Sequence, residues 1–333
     1  MSCIHILVAV PEPLRGQILT SYALSRLQAM SKVTLNDDGH NWTSEELASR
    51  LTGVDVLITG WGIARLDAAT LAQADRLRLV AHAAGSVRGF VTEAVFDRGI
   101  AVTHAAGRIA HSVAEFTLLV TMMGLRRPQD LGQRMKNGEL WPASERLTYE
   151  IQGKRVGLLG MGYVGRRTAS IFRAVGAEVW AYDPYLSAEQ AEVLGVRKAE
   201  LDEVLSQCAV ISVHLPATDE THHLIGAREL ALLQDGAVFV NSARAYTVDQ
   251  EALINELATG RFWAALDVFD PEPLPIDSPL RHMDNVLLTP HIAGATVDSL
   301  QGMMNTVVDE VERFLRGESL QYSVSRETLA RMA

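Results

Sequence analysis

Cysteine and clustered basic residues are both scarce in this chain. The 333 residues include two cysteines, Cys3 and Cys208, which form neither a CxxC pair nor a spacing typical of metal ligands. The sequence therefore favours neither a disulfide framework nor a zinc site, and we expect no metal. Asp and Glu outnumber Lys and Arg by 40 to 30. Because nucleic-acid surfaces need clustered cations, we expect no nucleic-acid partner.

Long apolar runs, internal repeats and low-complexity tracts are also lacking. The apolar N-terminal stretch 1–10 is short, carries no preceding basic segment and leads directly into Pro11-Glu12-Pro13. It lacks the features of a secretory signal or a membrane anchor. The stretch instead predicts the first β-strand of a cytoplasmic protein that has no membrane partner.

Short apolar runs alternate with stretches of helical periodicity. The runs are 4–10, 54–59, 77–83, 156–160, 179–183, 210–215, 237–241, 263–268 and 286–290. This alternation predicts parallel sheets covered by helices, and the length allows two domains. A cap at Thr43 predicts a helix start. Two long helices are expected, a linking helix at 111–125 and a packing helix at 297–315.

One apolar strand runs directly into a glycine-rich turn. Residues 156–165 end in G-x-G-x-x-G, and a helix is expected at 166–175. Gly160 permits the tight turn, Gly162 lets the backbone approach a pyrophosphate, and Gly165 allows close packing of helix and strand. The N-terminus of the following helix attracts the anion. The pattern predicts a dinucleotide-binding domain.

An acidic residue, Asp183, ends the next apolar run and is suited to accept hydrogen bonds from a ribose diol. Its charge repels a 2′-phosphate, and no Arg follows in Pro184-Tyr185-Leu186. NAD is therefore favoured over NADP. Because the first group of strands lacks a glycine fingerprint, we predict a nucleotide-binding domain at 106–291 inserted into a smaller α/β domain at 1–105 and 292–333.

Three polar residues follow predicted strands at the sheet edge where ligands bind in α/β proteins. Arg244 is suited to hold a carboxylate through a bidentate fork. His291 is suited to proton transfer near neutral pH. Glu272 is a carboxylate that favours a protonated imidazole beside it. Taken singly, each also fits a structural role: Arg244 a surface salt bridge, His291 a satisfied structural histidine and Glu272 an acid in a loop.

Together these stretches resemble the D-isomer-specific 2-hydroxyacid dehydrogenase family over nearly the whole chain, most strongly from Val113 to Thr296. The matching elements are Ser112-Val113-Ala114-Glu115, the glycine fingerprint with Asp183, His214-Leu215-Pro216, Val240-Asn241-Ser242-Ala243-Arg244, 264–269, and Thr289-Pro290-His291-Ile292-Ala293-Gly294.

The resemblance implies a Rossmann NAD-binding domain inserted in a flavodoxin-like substrate domain, with NAD along the cleft between them. It implies that Arg244, Glu272 and His291 are catalytic: Arg244 binds the 2-oxo acid, His291 donates the proton and Glu272 keeps His291 protonated. Asp267 would face the nicotinamide carboxamide. The implied cofactor contacts are Gly160, Met161, Gly162, Tyr163, Val164, Gly165, Asp183, His214, Leu215, Pro216, Ala243, Asp267 and Gly294.

The implied substrate-binding loop is where the chain departs most from the family. Family members often carry G-x-D-N there, whereas this chain reads Gly85-Ser86-Val87-Arg88, and Ile109 stands where Asn is common. The backbone of this loop is expected to hold the substrate carboxylate, with Arg88 either near a second anionic group or in solvent. Trp61 either faces the substrate or packs in the core. Ala245-Tyr246 follows Arg244, where glycine is usual, so we expect a different turn there, with Tyr246 in the pocket.

Several functions remain open within the resemblance. The leading one is interconversion of a small 2-oxo acid, such as glyoxylate or hydroxypyruvate, and its D-2-hydroxy acid. Phosphoglycerate is an alternative for which Arg88 and Arg108 are the available cations. A NAD-sensing corepressor-like interaction protein is another, whereas a formate dehydrogenase would be expected to have Gln in place of Glu272. A homodimer formed through the apolar face 113–123 is expected.

Overall fold

A computed structural model describes residues 4–140 and 148–332, and the chain divides into two compact units. Unit 1 comprises Met1–Ile109 and Ala295–Ala333, and unit 2 comprises Ala110–Gly294. The sequence predicted boundaries at 105/106 and 291/292. Cys3 lies outside the described residues, whereas Cys208 is buried and makes no disulfide, and burial raises the pKa of its thiol to about 12.

The described strands are β1 (His5–Val8), β2 (Lys32–Leu35), β3 (Val56–Thr59), β4 (Leu79–His82), β5 (Ala101–His104), β6 (Arg155–Leu159), β7 (Glu178–Tyr182), β8 (Arg197–Lys198), β9 (Val210–Val213), β10 (Val238–Asn241), β11 (Trp263–Leu266) and β12 (Val286–Leu288).

The described helices are α1 (Leu14–Ile18), α2 (Ser21–Met30), α3 (Ser44–Arg50), α4 (Glu93–Asp97), α5 (Ala106–Arg126), α6 (Pro128–Lys136), α7 (Tyr163–Ala174), α8 (Ala188–Leu194), α9 (Leu201–Gln207), α10 (Ala227–Ala231), α11 (Gln250–Ala258), α12 (Val297–Leu315) and α13 (Arg326–Leu329). Short 3₁₀ turns lie at Asp219–Thr221, Ala245–Thr247 and Pro279–His282.

Unit 1 contains a five-stranded parallel sheet in the order β2-β1-β3-β4-β5. The helix α12 has the predicted bounds, and the apolar side chains of its buried face, Met303, Met304, Val307, Val308 and Val311, fill one face of the core. Within α12, the buried carboxylate of Glu310 accepts hydrogen bonds from Thr103 Oγ1 at 2.9 Å and from the amides of Gln321 and Tyr322. These bonds fix the C-terminal segment beside β5, because a buried carboxylate needs such partners.

Two buried histidines end neighbouring strands of unit 1. His82 ends β4 and makes a hydrogen bond of 2.9 Å with Thr59 Oγ1, and His104 ends β5 and accepts a hydrogen bond from the amide of Ala106. Burial lowers the pKa of His82 to about 3, with a further contribution from His104, and burial lowers the pKa of His104 to about 4. Both imidazoles are therefore neutral at physiological pH.

Unit 2 contains a seven-stranded parallel sheet in the order β12-β11-β10-β9-β6-β7-β8. β7 lies on one side of β6 and β9 on the other, so the strand order reverses at β6. Ligands of such sheets bind at the carboxyl ends of the strands at this point. The helix α5 crosses close to the sheet, since a Cβ on Gly124 would lie 2.4 Å from Trp263 Cε3. No described helix has the length and apolarity needed to cross a lipid bilayer.

Differences from the predicted elements are local. The linking helix α5 begins at Ala106 rather than 111, and α7 begins at Tyr163, inside the fingerprint, rather than at 166. The strands β2, β5 and β8 were not predicted, because β2 is partly exposed, β8 has two residues, and β5 mixes Thr and His with its apolar residues. The cap at Thr43 is confirmed, and Glu46 completes a capping box.

Candidate active site

The glycine-rich turn between β6 and α7 is sterically specified. Gly160 has φ +99°, and a Cβ there would lie 2.7 Å from the carbonyl oxygen of His214. A Cβ on Gly165 would lie 2.1 Å from the carbonyl oxygen of Gly160, whereas a Cβ on Gly162 would meet no atom within 4 Å. The turn therefore leaves open space at Gly162, directly before the N-terminus of the 12-residue helix α7. This arrangement fits the pyrophosphate of a dinucleotide.

Substitution by alanine is expected to have different effects at two glycines of the fingerprint. Gly165→Ala forces two backbone segments apart and is expected to lower the free energy of unfolding by about 3 kcal/mol. Gly162→Ala is expected to fold normally but to weaken NADH binding by about 10-fold or more, because the methyl group fills the space for the pyrophosphate. Urea unfolding and fluorescence titration with NADH measure the two effects.

A matched control is Gly132→Ala in α6, where a Cβ also meets no atom within 4 Å. It is expected to leave NADH binding at the native value and to raise the free energy of unfolding by at most about 1 kcal/mol, because alanine has the higher helix propensity. A Gly165→Ala protein with a native unfolding midpoint would show that the close packing does not specify this residue.

Asp183 joins the fingerprint to the loop after β7. Its Oδ2 accepts a hydrogen bond from the amide of Met161 at 2.7 Å, and its Oδ1 accepts one from the amide of Tyr185 at 2.8 Å. Both carboxylate oxygens are thus held in place, and each retains a lone pair for a ribose hydroxyl.

His214 is turned inward, which the sequence did not predict. Burial lowers the pKa of its imidazole to about 3, and Nε2 makes a hydrogen bond of 3.0 Å with Ser212 Oγ. The part of His214 next to the fingerprint is its backbone, beside Gly160. Its neighbour Leu215 is buried, and the carbonyl of Pro216 accepts a hydrogen bond from Thr221 Oγ1.

The other predicted cofactor residues lie close to these elements. Tyr163 begins α7 and is about half exposed, Val164 follows it in the first turn, and the Met161 side chain is buried. Ala243 follows β10 and Gly294 follows the His291 loop, each with an intermediate exposure.

His291 and Glu272 form a pair at the end of β12. Nδ1 of His291 lies 3.0 Å from Oε2 and 3.1 Å from Oε1 of Glu272. The side chains are 50% and 41% exposed, so the pair is accessible to a ligand. His291 has φ +54°, a left-handed conformation that is uncommon for residues other than glycine. Such a conformation persists only where the surrounding structure fixes it.

The buried carboxylate of Asp267 supplies part of that support. Oδ1 accepts hydrogen bonds from Thr289 Oγ1 at 2.6 Å and from the amide of Ile292 at 2.9 Å, and Oδ2 accepts one from the amide of Ala293 at 2.9 Å. These contacts bracket His291 on both sides. Asp267 therefore supports the loop that carries His291. Its predicted contact with a nicotinamide stays a prediction.

Arg244 follows β10, two strands from His291 in the sheet order. Burial lowers the pKa of its guanidinium, and the negative charge of Glu272 opposes this shift. The preceding turn is held by Asn241, whose Oδ1 accepts from the amide of Ala243 and whose Nδ2 donates to the carbonyl of Arg244. The three polar side chains predicted to be catalytic therefore follow β10, β11 and β12, which are neighbouring strands.

The predicted substrate residues of unit 1 follow β3 and β4. Trp61 is 44% exposed and Arg88 is exposed, whereas the side chain of Val87 is fully buried in the core. Val87 thus contributes only its backbone to the loop surface. Gly85 and Ser86 are partly exposed, and Ser86 Oγ accepts a long hydrogen bond of 3.4 Å from the amide of Arg88.

Two other side chains singled out from the sequence make contacts elsewhere. Tyr246 lies on the 3₁₀ turn after β10, and its ring centroid is 4.4 Å from that of His222. The guanidinium of Arg108 donates to the carbonyl of Asp298 at 2.8 Å and packs against Gly302. These contacts occupy both side chains within their own units.

Sequence reasoning missed the residues that hold the site. Besides Asn241 and Thr289, Gln250 holds the loop that carries Glu272, since its amide group bonds to both the N–H and the carbonyl of Asp270. A buried Asn directly after an apolar strand is a detectable signal, because buried amides need partners. Gln250 gives no comparable signal. In the described residues, no group of three or more His, Cys, Asp or Glu side chains is placed to hold a metal ion.

Comparison with known proteins identifies the family. The sequence profile described as D-isomer specific 2-hydroxyacid dehydrogenase, NAD binding domain, matches residues 118–293. The chain belongs to this family. The match lies within unit 2 and includes the glycine fingerprint, Asp183, Arg244, Glu272 and His291, so unit 2 contains the NAD-binding domain.

Related proteins cover most of the chain. It is 35% identical over 294 residues to a glyoxylate reductase from Aeropyrum pernix, covering 86% of this chain and 87% of that protein. It is 33% identical over 278 residues to a D-3-phosphoglycerate dehydrogenase from Methanocaldococcus jannaschii, covering 83% of this chain. The dehydrogenase is longer, and the match spans only 52% of it.

A solved structure is similar over nearly the full length. The TT0316 protein from Thermus thermophilus has a TM-score of 0.79 and 31% identity, covering 97% of this chain and all of that one. Family membership confirms the predicted class, a NAD-dependent 2-hydroxyacid dehydrogenase, with NAD as the cofactor. The comparisons also confirm the predicted α/β fold with a Rossmann-type domain.

Proposed function

We propose that this protein reduces a small 2-oxo acid to the D-2-hydroxy acid with NADH, or catalyses the reverse reaction, and that Arg244, Glu272 and His291 perform the chemistry. The observation that carries the proposal is the His291–Glu272 pair at 3.0 Å, which shares its unit and its sheet edge with Arg244 and the NAD fingerprint. This combination supplies an anion-binding group and a proton donor beside a hydride-carrying cofactor.

Arg244 binds and polarises the substrate. Its planar guanidinium holds a carboxylate through two parallel hydrogen bonds and places a positive charge near the adjacent carbonyl oxygen. Charge that develops on this oxygen during reduction is stabilised most where water is excluded, and Arg244 is partly buried. Asn241 and the turn that it holds keep the side chain in place.

His291 transfers the proton through Nε2. Because Nδ1 faces the Glu272 carboxylate, Nδ1 carries a hydrogen toward Glu272 and Nε2 is the nitrogen left for the substrate oxygen. NADH, when bound, supplies the hydride that adds to C2. In reduction Nε2 gives its proton to the carbonyl oxygen, and in oxidation neutral Nε2 takes the hydroxyl proton. Glu272 orients the ring and stabilises the protonated imidazole.

We propose that unit 1 is the substrate-binding domain. The loop Gly85-Ser86-Val87-Arg88 follows β4 and Trp61 follows β3, and these are neighbouring strands. The backbone amides of this loop hold the carboxylate, and Arg88 and Trp61 face the remainder of the substrate. Phosphoglycerate is less well supported, because Arg108 is engaged with Asp298 and Gly302, which leaves Arg88 as the remaining predicted phosphate cation.

We further propose that the protein is a cytoplasmic homodimer. The predicted dimer face lies on α5, where Leu119 is 56% exposed. Phe116 and Met123 on the same helix are partly exposed as well, and a contiguous apolar patch of this kind is typical of an interface.

The proposal predicts turnover of at least one simple 2-oxo acid. We expect NADH oxidation with glyoxylate, hydroxypyruvate, pyruvate, phenylpyruvate or 2-oxoglutarate, and much weaker oxidation of NADPH. The measurement is the loss of NADH absorbance, with chiral analysis of the product to establish the D configuration. The position of the accepted substrate in this series shows the size of the side chain that Trp61 and Arg88 admit.

Absence of NADH oxidation with all five 2-oxo acids, in a protein that binds NADH, would contradict the catalytic proposal and favour the corepressor-like alternative. An L-configured product would contradict the D stereochemistry of the proposed reaction.

A further inference from the structure

A hydrogen bond joins the loops that follow β7 and β9. The hydroxyl of Tyr185 donates to Oε2 of Glu220 at 2.9 Å. In the sheet, β6 lies between β9 and β7, so the bond links the two loops on either side of the glycine fingerprint. A nucleotide whose pyrophosphate lies at the N-terminus of α7 has its adenosine beside these loops.

Both ends of this bond are fixed by further contacts. The amide of Tyr185 donates to Oδ1 of Asp183, whose other oxygen holds the amide of Met161 in the fingerprint. Glu220 lies on the 3₁₀ turn Asp219–Thr221, and Thr221 Oγ1 donates to the carbonyl of Pro216 at 2.6 Å. The Glu220 carboxylate therefore has a defined place relative to Asp183.

The residues of these loops carry negative charge, whereas Arg166 of α7 donates to the carbonyl of Met161 beside them. Residues 183–187 and 214–226 contain three carboxylates, Asp183, Asp219 and Glu220, and no Lys or Arg. Lys198 on β8 donates to the carbonyl of Leu186 at 2.6 Å, so its ammonium group is engaged with the backbone.

The phenol of Tyr182, at the end of β7, is affected by the negative charge of Asp183 as well. Its pKa is raised by burial and by the negative charges of Glu200 and Asp183. His222 and His223 follow Glu220 on the same loop and stack on each other at 4.0 Å.

We infer that Glu220 is a cofactor-specificity residue, held by Tyr185, whose carboxylate disfavours ligands with a phosphate on the adenosine 2′-hydroxyl. This inference deepens the proposed NAD-dependent function and rests on it. Asp183 alone is the acidic residue that a Rossmann fingerprint requires; Glu220 adds a second negative charge on a rigid turn. A phosphate dianion near a fixed carboxylate is repelled even in water, and the repulsion falls with added salt.

The test uses two ligands that differ only in the phosphate, ADP-ribose and 2′-phospho-ADP-ribose, with affinities measured by isothermal titration calorimetry. Neither carries nicotinamide, so binding is read without catalysis. Glu220→Gln keeps the acceptor for the Tyr185 hydroxyl and removes the charge. We expect it to tighten 2′-phospho-ADP-ribose by about 3- to 10-fold and to change ADP-ribose by less than about 2-fold. The gain should shrink in about 0.5 M salt.

Asp219→Asn is the matched control, because it removes the same charge from the neighbouring residue of the same turn. Tyr185→Phe should give a smaller gain than Glu220→Gln, because the charge remains but its anchor is lost. An unchanged affinity of Glu220→Gln for 2′-phospho-ADP-ribose, or an equal gain from Asp219→Asn, would overturn the inference. Failure of the native protein to bind ADP-ribose would instead contradict the proposed NAD-dependent function.

Discussion

Replacement of His291 by alanine is expected to lower kcat for the accepted 2-oxo acid by about 100-fold or more, the usual range for a lost general acid. The affinity for NADH should stay near the native value, because the fingerprint and Asp183 lie elsewhere in unit 2. Steady-state kinetics with NADH and a direct NADH titration separate the two quantities. Alanine also replaces a residue at φ +54°, so unfolding in urea must be compared with the native protein.

The exposed His282, on the 3₁₀ turn before β12, is the matched control, and His282→Ala should leave kcat unchanged. Glu272→Gln keeps the size of the carboxylate and removes its charge, so we expect a loss of turnover in the same direction but smaller. Native turnover in the His291→Ala protein would remove this residue from the mechanism.

A loss of stability in weak acid is the second large effect. His82 and His104 are buried with folded pKa values of about 3 and 4, against an ordinary value of 6.5. Below pH 6.5 the unfolded chain takes up protons that the folded chain does not, so the free energy of unfolding falls until the pH reaches the folded values. Each histidine contributes at most about 1.4 kcal/mol per pH unit. From pH 6.5 to 5.0 the two lower the stability by up to about 4 kcal/mol, and His214, whose folded pKa is also about 3, adds up to about 2 kcal/mol.

Urea unfolding at several pH values between 7 and 5 measures this slope. His104→Asn should lower it by about a third, because His82 and His214 remain, whereas His282→Asn should not change it. A constant unfolding midpoint across this range would show that the folded protein takes up the same protons, and that neither histidine is held neutral.

The sequence predicted best those parts of the fold that depend on local residue patterns. The glycine fingerprint, the Thr43 cap and α12 are each determined by residues close in sequence. The determinants are a backbone conformation, a hydrogen bond between Thr43 and the amide three residues later, and a 3.6-residue period of apolar side chains. The strands β2 and β5 were missed because a short, partly polar segment shows its strand character only when it pairs with β1 or β4.

The interior of the site depends on contacts that are distant in sequence. Asp267 meets Thr289, Ile292 and Ala293 more than 20 residues further along the chain, and no period in the sequence encodes such pairing. The inward turn of His214 is instead a local effect, since its partner Ser212 lies two residues earlier, on the same face of the extended chain. The catalytic roles of Arg244, Glu272 and His291 stay predictions that the kinetic experiments test.

The discontinuity of unit 1 has a consequence during synthesis. Residues 4–109 leave the ribosome long before α12, which supplies Met303, Val307 and Val311 to the core of unit 1. Unit 2 is one continuous segment and is complete earlier. Domains usually fold in the order in which they are made, and here we expect the reverse, with the core of unit 1 completed only after α12 emerges.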